Sequence, residues 1–96
     1  MAEADQQKPN IHKLPPPSFS LLVATFASQA MVAFGKAPDP IEGKTEVRLE
    51  LARHAIDMLD ILEQKTKGNL NAEEAAMLEG ILHQLRMEFI VATTPK

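Results

Sequence analysis

The 96-residue chain contains no cysteine. That excludes a disulfide framework, a thiolate zinc site and a cysteine nucleophile, and it suits a reducing cytoplasm, which is the expected location. Glycines number only four. Each falls near the end of a helical pattern or, for Gly80, inside one, so there is no glycine-rich loop to cradle a phosphate. No serine lies in the sharp glycine-flanked turn of a nucleophile elbow. An excess of positive charge is also missing: ten Lys and Arg against 13 Asp and Glu leave a formal charge of -3. Duplex-binding proteins carry the opposite imbalance, so nucleic acid is not an expected partner. The opening stretch MAEADQQKPNIHKL is polar and mixed in charge, without the basic-then-apolar order of a secretion signal.

What is present suffices for one small folded domain. Hydrophobic residues make up 45% of the chain and charged residues 24%, enough apolar material for a core at a length that rarely holds two domains. Residues 1–17, ending in Pro15, Pro16 and Pro17, cannot bury surface and read as a disordered tail closed by a stiff spacer. Residues 18–93 read as a three-helix domain, an all-α fold.

The helices carry their own start and stop signals. Ser18 is placed to cap the first and Gly35 to close it in the left-handed conformation. Lys36 to Lys44, with Pro38 and Pro40, is a loop. A second helix is predicted from about Thr45 or Val47 to Lys67, terminated by Gly68, with Lys65 and Lys67 at the negative end of its dipole. Asn71 and Glu74 form a capping-box pair opening a third helix, which Thr94 and Pro95 end. The link Gly68, Asn69, Leu70 is so short that the second and third helices must fold into an antiparallel hairpin.

Apolar residues recur at helical spacing in all three. In the first, Phe19, Leu22, Val23, Phe26, Ala27, Ala30, Met31 and Phe34 form one stripe, expected to face the hairpin. The opposite face has no charge at all from Ser18 to Gly35: it carries Leu21, Val32 and Ala33 among Ser20, Ala24, Thr25, Ser28 and Gln29. A surface helix ordinarily shows lysine and glutamate there. A membrane span would be short and diluted by polar residues, and a helix lying in a lipid surface wants a basic polar face, which this one lacks. A membrane-associated accessory protein whose first helix touches lipid is therefore the second reading. In the first reading a second copy of the chain, or a different protein partner, covers Ser20, Leu21, Ala24, Ser28 and Val32, because two further helices are too few to wrap the first on every side. A homodimer is the expected form.

Candidate chemistry is sparse. His54 and Asp57 are three apart, and Glu79 and His83 four apart, but neither pair has the Glu-x-x-His order of carboxylate-bridged metal bundles. Asp57, Asp60 and Glu63 advance by threes among Arg53, Lys65 and Lys67 and read as a solvated or ion-paired face. Asp57, beside Ile56, is expected to be partly buried and held by Arg53 or Arg86, fixing helix register. No catalytic residue, cofactor or metal is assigned, and the chain is expected not to be an enzyme.

The stretch Leu51 to Arg86 resembles the bacterial family catalogued as domain of unknown function 1844. The resemblance rests on Ile56, Asp57, Leu59 and Leu62, then on Lys65, Thr66, Gly68, Asn69 and Leu70, and on Leu85 and Arg86. It covers about Ser18 to Val91. It implies a small bacterial cytoplasmic helical protein and carries over no catalytic residue. The run Lys65, Thr66, Gly68, Asn69, Leu70, Asn71 also has a structural reason: dipole, left-handed cap, turn and next helix.

Overall fold

A computed structural model describes residues 14–95. Most of the tail assigned from sequence, including His12, lies outside the described residues, while Pro15 to Pro17 are exposed and in no regular element. Three helices follow: α1 (Phe19–Ala33), α2 (Leu49–Thr66) and α3 (Ala72–Thr93). All three pack against one another, giving an all-α fold.

The termini form where local chemistry predicts. Ser18 Oγ accepts a hydrogen bond from the Leu21 amide at 3.0 Å, occupying one of the amides a helix start leaves free. At the other end of α1 the Gly35 amide donates to the Val32 carbonyl and the Lys36 amide to the Met31 carbonyl, with Gly35 at φ +79°. This pair of reversed bonds needs a left-handed residue between helix and exit, the role for which glycine is suited. Asn71 and Glu74 exchange the two capping-box bonds, at 2.8 and 3.0 Å. Gly68, at φ +88°, turns the chain between α2 and α3, and the Asn69 amide donates to the Thr66 carbonyl.

The start of α2 differs from the sequence expectation. It begins at Leu49 rather than Thr45 or Val47, because Val47 forms an antiparallel bridge with Phe34 and the Arg48 amide donates to the Ala33 carbonyl at 2.7 Å. A tertiary pairing thus holds residues that local preference would wind into helix. It also ties the end of α1 to the start of α2, so the two run antiparallel and the intervening loop projects beside them.

Val23 and Ala30 of α1, Ala52 and Leu59 of α2, and Leu78 and Leu82 of α3 are fully buried. Phe34 and Phe89 meet edge to face with ring centroids 6.5 Å apart, and the Arg53 guanidinium lies 5.7 Å from the Phe89 centroid. No polar side chain is buried among the described residues. Two positions on α1 depart from the expected stripe. Leu22 is 45% exposed, whereas Ala33, assigned to the outer face, is buried because the chain reversal brings the start of α2 against it. The Cα trace is 16 Å thick in its smallest dimension. That is room for two helix layers about 8–10 Å apart, so each helix keeps one face toward solvent.

Candidate interaction surface

The charge-free outer face of α1 stays uncovered in the single chain. Ser20, Leu21, Ala24, Thr25, Ser28 and Gln29 are exposed and Val32 is half-buried. The cause is arithmetic: the hairpin contacts α1 along Val23, Phe26, Ala30 and Phe34, and an α-helix touched along one stripe leaves the opposite side free. The exposed positions carry neither lysine nor glutamate, so the surface presents methyl, methylene, hydroxyl and amide groups without net charge.

Sequence reasoning missed that α2 extends this surface. Leu51 is 51% exposed, Met58 37% and Ile61 52%. Leu51 and His54 share a groove of about 590 Å³ with Thr25, Ser28 and Val32 of α1, and the loop places Ile41 at its rim. The signal lay in the sequence as the broad apolar arc of α2, too wide for a helix with one buried stripe.

The loop that borders the groove is held by one aspartate. Asp39 Oδ1 accepts from the Ile41 amide at 2.7 Å and the Glu42 amide at 3.1 Å, while its own backbone pairs with Gly43 and Lys44. These two amides, Ile41 first, hold the Asp39 carboxyl below its ordinary range. Arg48 pairs with Glu46 at 2.9 Å and Glu42 at 3.5 Å. The Glu46 hydrogen bond and charge together hold the guanidinium more firmly protonated than usual. An Asp-Pro dipeptide followed by glycine marks such turns, and it was the readable cue for Asp39.

The remaining candidates separate into structural roles. Asp57 is exposed and sits 3.5 Å from Arg53 on its own helix, not partly buried as expected. Arg86 instead pairs with Asp60 at 2.9 Å, and Gln64 donates to the other Asp60 oxygen, so Asp60 links the two arms of the hairpin. The helical phase explains the exchange: Asp60 is closer to the α2–α3 seam than Asp57. Lys65 occupies the last turn of α2, Thr66 donates to the Leu62 carbonyl, and Leu70 is half-buried against the core. With Gly68, Asn69 and Asn71 they build the hairpin turn. His54 lines the groove and Glu79 lies near the hairpin turn. No group of three or more His, Asp or Glu among the described residues is arranged to hold a metal ion.

No helix among the described residues is long and apolar enough to cross a membrane. Comparison with family models gives a match to the model described as Domain of unknown function (DUF1844) over residues 16–91. Comparison with curated proteins and with solved structures gives no match.

Proposed function

The chain belongs to the family of domain of unknown function DUF1844, and from that premise we propose that it is a non-enzymatic interaction module of the cytoplasm that associates with a second copy of itself through the outer face of α1. One observation carries this reading: α1 leaves Leu21, Ala24 and Ser28 exposed on a face without a single charge. Apolar surface is stabilised by leaving water, by about 25 cal/mol per Å², and contiguous apolar patches mark contact sites. Closed two-fold pairing is the commonest way for a soluble chain to cover such a patch. The absence of basic residues on this face disfavours a lipid surface, which binds helices flanked by lysine and arginine.

The test is the mass in solution. Sedimentation equilibrium at micromolar concentration should give twice the chain mass of 10.6 kDa. A particle of 10.6 kDa at every accessible concentration would overturn the proposal.

A further inference from the structure

We propose that the run Pro15, Pro16 and Pro17 acts while the chain is being made rather than in the finished fold. It is a pause element: formation of the bond between Pro16 and Pro17 limits synthesis, so supply of the chain depends on the elongation factor that accelerates consecutive prolyl bonds. The inference is independent of self-association.

The finished domain makes no use of three prolines. All three are exposed and lie outside every regular element. The start of α1 is secured by Ser18, whose Oγ accepts from the Leu21 amide and whose carbonyl accepts from the Leu22 amide. A single proline at position 17, directly before this cap, is enough to stop the helix from running backward, because the residue ahead of a proline is pushed to extended geometry. Pro15 and Pro16 exceed what the helix start requires.

During synthesis the same run carries a chemical cost. Each bond forms when the nitrogen of the incoming aminoacyl-transfer RNA attacks the ester carbonyl carbon that joins the growing chain to its own transfer RNA. The C–N bond forms, the ester C–O bond breaks, the transfer RNA leaves as its alcohol, and a proton passes from the nitrogen to that oxygen. An ordinary residue attacks with a primary amine that turns freely. Proline attacks with a ring nitrogen, whose Cδ crowds the ester and whose one proton is the proton that must leave.

The donor side is hindered as well. Each ring fixes φ at about −65°, and each proline also keeps the residue before it out of the helical region. When Pro16 is the donor and Pro17 the acceptor, the ester therefore sits at the end of a stiff extended segment rising about 3.1 Å per residue, which cannot swing toward the crowded nitrogen. Only this bond has proline as acceptor, as donor and behind the donor. The other four prolines, Pro9, Pro38, Pro40 and Pro95, each have non-proline neighbours. They meet the hindrance one side at a time, so a single pause site is expected.

Reconstituted translation of the full-length chain, with and without that elongation factor, tests the proposal, with Pro16→Ala as the comparison. Without the factor, ribosomes on the native message should collect with Pro16 in the donor site, a position mapped by primer extension. The step that adds Pro17 should then be about 10-fold or more slower than in Pro16→Ala, equivalent to about 1.4 kcal/mol on the barrier. Adding the factor should bring the two chains to the same rate. Equal rates without the factor, or a dominant pause at another codon, would overturn the proposal. The purified Pro16→Ala protein should keep the native melting temperature, as expected for an exposed position away from any packed feature. A lower melting temperature would show that the run serves the fold instead.

Discussion

Ala24→Arg, like Ser28→Arg, is expected to convert the proposed dimer to a monomer and leave the helices as they are. Ala24 is exposed on α1 while Val23 and Ala30 are buried, so an arginine there can extend into water in the monomer. Arginine is also nearly as good a helix former as alanine. In the proposed dimer the same side chain would bring an unpaired cation into an apolar contact, and two-fold symmetry would introduce it twice. Dissociation should strengthen by about 100-fold or more, equivalent to about 2.7 kcal/mol. Sedimentation reads the change in mass and far-ultraviolet circular dichroism reads the helices. A variant that keeps the native mass would remove this face from the interface. One that loses its helices would show that Ala24 packs inside the fold.

The second large effect lies in the core. Leu82→Ala should lower stability by about 2–5 kcal/mol, since it empties a site that is fully buried between the helices. For a domain of this size each kcal/mol is worth about 4–8 °C in melting temperature, so a fall of at least about 8 °C is expected. A natural domain has only about 5–15 kcal/mol in total, and a small one sits low in that range. Because association draws on the folded form, the melting temperature of both native and variant chains should also rise with protein concentration. Thermal denaturation at two concentrations measures both. A fall of less than about 3 °C would show that Leu82 does not anchor the core.

These two substitutions mark what the sequence disclosed and what it withheld. Helix ends were readable because their chemistry is local. Ser18, Gly35, Gly68 and the Asn71 and Glu74 pair each act within a few residues of themselves, and each is found in its expected role. The hairpin followed from the brevity of the turn. Contacts between distant segments were less legible. The Phe34–Val47 bridge shortens α2 at its start although the sequence there permits helix. Of the two arginines offered for Asp57, Arg53 is its partner and Arg86 pairs with Asp60, a choice that only the relative phase of two packed helices decides. Leu22 and Ala33 exchanged environments for the same reason: the stripe on α1 was read as uniform along its length, but the chain reversal covers one flank only at the loop end.

The outer face of α1 was legible as a deficiency of charge, since periodicity shows which side lacks lysine and glutamate. Its continuation onto α2 was not, because the width of the apolar arc that Leu51 and Met58 give α2 does not say which neighbour lies beside it until the antiparallel register is known. Apolar residues in excess of what one buried stripe requires were the overlooked sign. In a fold only two helix layers thick, such an excess has no interior left to fill.

Isotope-filtered nuclear Overhauser spectroscopy on a mixture of labelled and unlabelled chains shows whether a second copy lies over α1. Self-association through α1 should give intermolecular signals at the methyl groups of Leu21, Leu22 and Val32, with Leu51 and Met58 beside them. Signals confined to the methyls of α3, or their complete absence at concentrations where the native chain sediments as a dimer, would contradict it.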